Sequence, residues 1–398
     1  MKRWNELFQF GKQDGNQTGY GLFKFGSFLV LALMLVLSAA AMAEGTIKLG
    51  GLAPLTGNYA EYGKGFQIGW QMAIDDIAAQ GGVNGYNFEI DVKDSQGDAV
   101  VSSTLATDFA EDDDIAAILG DFTSGACKAN AEIVDRYGIV QLSPTASASD
   151  YAGMSPYCFS IMGRQDGEAP FLAKYVLQKY LGAQKVAIVR VDSDWGLSCY
   201  DNFKAAADEI GLEVAIEEKY KADETDFSSI ITKVKSTDPD VLVVMDQGVA
   251  VASVFNAADA AGWDITHVAL GPGTSEQVVG MLTDPDNIIV TSPFFFDPDN
   301  AELTAWKDRF VELAGFQPTV HPACAYDTIM LIANAVSQIE GEVTREAICE
   351  KLTGMEYNGV TGRIKFNENG DITRDYMICG TKDGAWVVLE GFEYGQEG

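Results

Sequence analysis

Residues 116–142 read AAILGDFTSGACKANAEIVDRYGIVQL. Residues 116–119 are a short apolar run, Ser124 to Tyr137 follows a helical period, and residues 139–142 are apolar again. This spacing predicts strand, helix, strand. The same alternation extends towards the N-terminus. Residues 46–52 predict a strand, and 64–79 a helix with Phe66, Trp70, Ala73 and Ile77 on one face. Residues 86–92 predict a strand and 98–110 a helix. Strands alternating with helices of this length imply a parallel sheet covered on both faces. Downstream the pattern restarts, with strands expected at 185–191, 212–217, 241–245, 267–270 and 288–290. Helices are expected between them, at 196–210, around Phe227 to Val234, and at 249–261. Helices at 301–315, 323–339 and 344–352 follow, then strands at 361–366 and 376–379, with turns at Asn369-Gly370 and Asp383-Gly384. The class is α/β, with two units. No Gly/Ser- or Pro-rich linker separates them, so several chain crossings and a cleft between lobes are expected.

The first 43 residues stand outside this pattern. Lys2, Arg3, Lys12 and Lys24 precede an apolar run at 28–37, and Ala41-Met42-Ala43 follows it. A cationic segment, an apolar segment and an Ala-X-Ala site make a secretory signal peptide cleaved after Ala43. The competing reading is an uncleaved anchor, since 25–43 is almost long enough to span a bilayer. Export places the protein in the periplasm.

The chain has 398 residues, enough for two domains. It carries 27 basic and 58 acidic residues, a net charge of −31. Such a chain has no basic surface for nucleic acid. The acids are dispersed, which favours solubility and does not identify the ligand as a cation. Cys127, Cys158, Cys199, Cys324, Cys349 and Cys379 are even in number. An oxidising compartment allows them up to three disulfides, with pairing left open. No CxxC spacing occurs, and His267 and His321 are the only histidines, which argues against a zinc site. No cofactor or metal is expected.

In open parallel sheets ligands bind beyond the carboxyl ends of strands, where helix N-termini point. Leu119-Gly120-Asp121-Phe122-Thr123-Ser124-Gly125 links a strand to a helix. The Ser124 hydroxyl and nearby backbone N–H groups suit a carboxylate; a helix cap is the simpler use of the same residue. Thr145 and Ser147, in the next strand's Ser/Pro loop, emerge beside it. The second unit offers Asp192 to Gly196 with Trp195, Asp246-Gln247-Gly248, and Gly271-Pro272-Gly273-Thr274. An acid and a Trp here suit an ammonium group and an apolar side chain, though each segment would equally cap a helix.

Together these segments resemble the branched-chain amino-acid-binding family, type I periplasmic binding proteins of ABC importers. The likeness spans about residues 47–386. Its motifs are Pro54-Leu55-Thr56-Gly57, Tyr62-Gly63, Ala73-Ile74-Asp75-Asp76-Ile77 and Gly81-Gly82-Val83-Asn84-Gly85. Ser143-Pro144-Thr145-Ala146-Ser147, Trp195-Gly196, Ala325-Tyr326-Asp327 and Gly359-Val360-Thr361-Gly362-Arg363-Ile364-Lys365-Phe366 continue it. The resemblance implies two Rossmann-like lobes joined by a hinge of three crossings, near 163, 292 and 365. Lobe I would be 46–163 plus 292–364, and lobe II 164–291 plus 365–398. It also implies that Ser124, Ser147 and the Thr145 backbone hold a ligand's carboxylate and amino group. Tyr62 would help close the pocket, and Trp195 would lie on the ligand. One departure stands out. Leucine-type receptors carry an acid after Gly-Pro, where this chain has Gly273. Either Asp246 replaces that acid from a neighbouring strand, or the ligand has no amino group.

The expected function is a monomeric transport receptor. It would close by a hinge on a small carboxylate, an apolar amino acid first, and dock on an inner-membrane ABC permease. The alternatives are a sensor with a different docking partner, or a binder of amides, aromatic acids or keto acids. An enzyme is not expected, because there is no Gly-x-Ser-x-Gly elbow, no P-loop, and two histidines placed at edges.

Overall fold

A computed structural model of the chain describes residues 45–271, 276–382 and 385–391. The leader, Gly273 and the Asp383-Gly384 turn lie outside the described residues. Among the described residues, no helix is long and apolar enough to cross a membrane.

The quoted stretch sits at the centre of the first sheet. Its strands are β1 (Gly45–Ala53), β2 (Tyr86–Asp94), β3 (Ile115–Leu119), β4 (Val140–Ser143) and β5 (Cys158–Ser160). They run parallel in the order β2-β1-β3-β4-β5. Leu119 opposes Gly51 on one side and Leu142 on the other. All of β3 but Ala116 is buried, as a strand with helices on both faces must be. Those helices include α1 (Ala60–Ala79), α2 (Ala99–Glu111) and α3 (Ser124–Tyr137). Phe66, Trp70, Ala73 and Ile77, on the predicted face of α1, are buried. On the edge strand β2, Asn87, Glu89, Asp91 and Lys93 alternate outward, which protects an unpaired edge.

The chain then enters a second layer through α4 (Gln165–Phe171), which continues as a π-helical stretch, Leu172–Tyr180. No element was expected there. The strands that follow are β6 (Lys185–Val191), β7 (Glu213–Tyr220), β8 (Val241–Met245), β9 (Thr266–Ala269) and β10 (Ile288–Ser292). They interleave with α5 (Asp194–Ile210), α6 (Ser228–Lys235), α7 (Val249–Ala260) and α8 (Glu276–Met281). The order β7-β6-β8-β9-β10 repeats that of the first sheet, although no internal sequence repeat announces it. Next come α9 (Ala301–Ala314), α10 (Val320–Ser337) and α11 (Arg345–Leu352). The strand expected at 361–366 is instead half of a hairpin, β11 (Glu356–Gly359) with β12 (Gly362–Lys365), which joins neither large sheet. Finally β13 (Met377–Lys382) and β14 (Ala385–Gly391) extend the second sheet. They run antiparallel, Cys379 opposing Val290, so this sheet is not wholly parallel.

The two sheets build separate cores. Leu49, Phe66, Leu119 and Ile329 belong to one, and Val189, Phe203, Val244 and Phe255 to the other. Between them the chain passes three times: after Ser160 into α4, after Ser292 into α9, and after Ile372 into β13. Buried Arg374, in the third passage, is tied to the first and to the turn of the β11–β12 hairpin. Its guanidinium donates to the Ile161 carbonyl (Nε 3.2 Å, Nη2 2.7 Å) and to the Thr361 carbonyl (Nη1 2.6 Å). Asp327 accepts from the Val360 amide at 2.8 Å, the Thr361 amide at 2.9 Å and the Thr361 hydroxyl at 2.6 Å. The Ala325-Tyr326-Asp327 and Gly359-to-Phe366 motifs are therefore parts of one knot at the hinge.

All six cysteines are unpaired, and all but Cys349 are buried. The disulfides that the oxidising compartment allowed do not form. The thiols are dispersed over both cores, as small apolar residues would be. Burial pushes Cys158, Cys324 and Cys379 up to about 12.

Candidate functional site

In each sheet the strand order reverses beside its first strand, at β1/β3 and at β6/β8. The crevice beyond the carboxyl ends of those strands is the natural ligand position. Gly120 opens the β3 loop with φ +103, and a Cβ there would lie 2.0 Å from the Leu52 carbonyl oxygen, so only glycine passes beneath β1. Side chains of the next strand and its loop fix this one. Gln141 Nε2 donates to the Gly120 carbonyl, Ser143 Oγ to the Asp121 carbonyl and Thr145 Oγ1 to the Phe122 carbonyl, each at 2.9 Å.

Thr123, not Ser124, caps α3; its hydroxyl accepts from the Ala126 amide at 3.3 Å. Ser124 is the first helical residue, and its hydroxyl oxygen accepts from the amides of Ser147 (3.3 Å) and Ala148 (3.2 Å). It thus holds the second loop against the helix end. Ser147 faces the other lobe. Its hydroxyl oxygen accepts from Trp195 Nε1 at 2.9 Å and Gln165 Nε2 at 3.3 Å.

These loops wall a cavity of about 20 Å³, room for a single water. Thr145, Ser147 and Trp195 line it together with Phe122, Gln165, Glu168 and His321. Ser124 and Tyr62 stand behind that wall. Tyr62 stacks on Phe122 at 4.5 Å and meets His321 edge-on at 4.8 Å.

Glu168 was not anticipated. It is 5% exposed. Oε1 accepts from the Gly271 amide (3.0 Å) and the Thr291 hydroxyl (2.5 Å), and Oε2 from Gln165 Nε2 (2.8 Å). Burial raises its pKa, and these hydrogen bonds offset only part of that. The signal for it was a polar pair, Gln165 and Glu168, immediately before apolar Ala169 and Phe171. His321 is buried too, not at an edge as expected. Its Nδ1 lies 2.8 Å from the Thr319 hydroxyl, and burial lowers its pKa to about 3, so the ring is neutral. His267 is likewise fully buried.

Asp246 does not line this cavity. It lines another, of about 220 Å³, with Tyr59, Glu224 and Thr225. There it accepts hydrogen bonds from the Tyr220 hydroxyl and from the Gln247 amide at 2.7 Å, and burial pushes its pKa up to about 6. At a strand end a step of one residue sends a side chain to the opposite face, and this one turns towards β7. Of the third segment only Gly271 is described, and its amide is the one that Glu168 holds.

The chain matches the periplasmic binding protein family over residues 46–385. It belongs to that family. Among curated relatives it is 25% identical over 360 residues to Leu/Ile/Val-binding protein homolog 1 of Brucella melitensis, covering 87% of this chain and 92% of that one. It is 25% identical over 337 residues to the leucine-, isoleucine-, valine-, threonine- and alanine-binding protein of Pseudomonas aeruginosa, covering 83% and 88%. Among solved structures, the branched-chain amino acid transporter substrate-binding protein of Streptococcus pneumoniae, in complex with isoleucine, superposes with a TM-score of 0.79. The two are 26% identical, and the match covers 87% of this chain and 99% of that one.

In this binding protein the lobes meet across the cleft. The Tyr62 hydroxyl bonds to the Gly248 backbone. Asn58 Nδ2 donates to the Ala222 carbonyl at 2.9 Å, and the Ser149 and Ser198 hydroxyls pair at 3.3 Å. Lys128, paired with Asp150 at 2.7 Å, also reaches Asp194 at 3.6 Å.

Proposed function

We propose that the chain is an extracytoplasmic solute-binding protein of an ABC importer. Its solute is a small carboxylate, an apolar amino acid first, taken in the cleft by hinge closure. Cleavage of the leader after Ala43 would release it into the periplasm as a monomer, to dock on an inner-membrane permease. The lobes would be 46–163 plus 292–372, and 164–291 plus 373–398; the last boundary moves from the expected 364 because Phe366 and Ile372 pack in the first core. The observation that carries this reading is a cavity at the carboxyl ends of both sheets, walled from both lobes by Thr145, Ser147 and Trp195. The names of its curated relatives in Brucella melitensis and Pseudomonas aeruginosa support the solute class.

The Thr145 backbone and Ser147 would receive the carboxylate, with Ser124 holding their loop from behind at the N-terminus of α3. Trp195 would supply an apolar wall. Tyr62, stacked on Phe122, would hold the lobes shut through Gly248. Gly273 would approach the ligand from the loop after β9. Closure removes water from the cleft, which strengthens each polar contact to the solute. The cavity as it stands is too small for an amino acid, so opening of the lobes must precede entry. The solute leaves chemically unchanged.

Thermal shift of the exported protein tests this against the twenty amino acids, simple amides, aromatic acids and 2-oxo acids. One carboxylate should stabilise it by about 2.7 kcal/mol at a hundred times its Kd. Ser124→Ala should weaken that solute about tenfold or more, because two loop amides lose their acceptor. No shift with any compound, or an unchanged affinity in the variant, would sink the reading or the site respectively.

A further inference from the structure

The cavity has one charged wall. Among its described lining residues Glu168 is the only carboxylate, and no Lys or Arg is present. His321, the other titratable group, is neutral. A buried carboxylate without a cation is an incomplete arrangement. Glu168 is also unevenly used: Oε1 has two donors, and Oε2 has the Gln165 amide alone. Beside it, Gln165 Oε1 is buried and has no hydrogen-bond partner, although Gln165 is only 1% exposed. Two acceptors with spare capacity therefore sit together on the wall. An ammonium group carries one positive charge and three donors, and satisfies both.

Their position fixes the rest. Gln165 Nε2 touches both Ser147 Oγ (3.3 Å) and Glu168 Oε2 (2.8 Å). The hydroxyl end and the acid end of the cavity are thus one side-chain amide apart. That separation suits a carboxylate and an ammonium on the same carbon, and is too short for groups at opposite ends of a longer solute. We propose that Glu168, with Gln165 Oε1, receives the ammonium group of an α-amino acid, and so sets the specificity of the site against the matching 2-oxo acid. Asp246, in its separate cavity, takes no part. This rests on the solute-binding reading above. The acid comes from the helix after the first crossing rather than from the loop after β9. Gly271 and Thr291, of the same lobe, hold it in place, and Gln165 carries the contact to Ser147 of the other lobe.

Isothermal titration with two matched pairs decides it: L-leucine with 4-methyl-2-oxopentanoate, and L-phenylalanine with phenylpyruvate. The exported full-length protein should bind one amino acid at least about 100-fold more tightly than its 2-oxo partner, since only the amino acid neutralises Glu168. Glu168→Gln should weaken that amino acid about 30-fold or more and leave the 2-oxo acid within about threefold; Asp246→Asn should leave the amino acid within about threefold. Unliganded Glu168→Gln should melt no lower than the parent. If it does not fold, Glu168→Asp, which retracts the charge by one methylene, should show an intermediate loss. An amino acid that binds Glu168→Gln or Glu168→Asp as well as the parent overturns the proposal, as does a 2-oxo acid preferred by the parent. A stabilising carboxylate without an amino group, such as an aromatic acid, found in the thermal-shift screen while neither pair binds overturns this inference alone; no stabilising carboxylate in that screen overturns the carboxylate-solute reading and this inference with it.

Discussion

His267 shows how much one side chain can hide. It lies in β9, fully buried, with its ring stacked on Phe255 at 4.4 Å and 5°. Neither ring nitrogen has a hydrogen-bond partner, and Asp259 is too far at 3.6 Å. Burial lowers its pKa from 6.5 to about 4. The unfolded chain therefore takes up a proton first as pH falls. Stability due to this group is intact above pH 6.5 and is lost progressively down to about pH 4, a total of about 3 kcal/mol. Buried Asp246 and Asp371, raised to about 6 and about 7, act with the opposite sign, because the folded state binds their protons first. A difference measurement separates the two effects. His267→Phe should match or exceed the parent in urea unfolding at pH 7, and should lead it by about 3 kcal/mol more at pH 4. Equal pH slopes in parent and variant would show that His267 titrates normally. In sequence this residue passed for an edge histidine, because a single His in a short apolar run carries no mark of its depth.

The hinge is the element on which the architecture turns. Arg374, 6% exposed, reaches from the third crossing to Ile161 in the first and to Thr361 beside the hairpin. Arg374→Met keeps most of the buried bulk and strands both carbonyls. The expected cost is about 3 kcal/mol in urea unfolding, since buried acceptors lose charge-assisted bonds. Solution scattering should also show a wider spread of lobe separations. A variant as stable as the parent would mean that the crossings are held by packing alone. The strands and helices that build each lobe were legible in sequence, down to the buried face of α1. β5, α4, α8, β11 and β14 were not. β5 has only three residues, α4 contains Pro170, and β14 is solvent-facing for much of its length, so none of these three has the periodicity that marks an element.

At the scale of the whole molecule the cysteines give the plainest test. Six thiols spread over both cores, unpaired, mean that reduction should change nothing. Dithiothreitol should leave the melting temperature within about 1 °C, whereas loss of one native disulfide would cost about 2–5 kcal/mol. Thiol titration in denaturant without reductant should find all six groups. A large reductant-dependent shift would show that the exported protein is cross-linked. The two sheets share one strand order without sequence similarity, so both switch points face one cleft. That common geometry is what allows loops from β3, β4, β6 and β8 to meet.

The sequence by itself determined the α/β class, the two units and the strand-end loops that carry Ser124, Thr145, Ser147 and Trp195. It could do so because burial on both faces of a parallel strand demands an uninterrupted apolar run, and that demand is local. Which acid enters the cavity was decided only by the tertiary structure. Asp246 and Glu168 both sit next to apolar segments, and nothing nearby in the chain separates them. The choice depends on the direction of one strand end, and on contacts from Glu168 to Gly271 and Thr291, over a hundred residues away. Such contacts exist only once the second lobe has folded and packed α4 against the ends of β9 and β10.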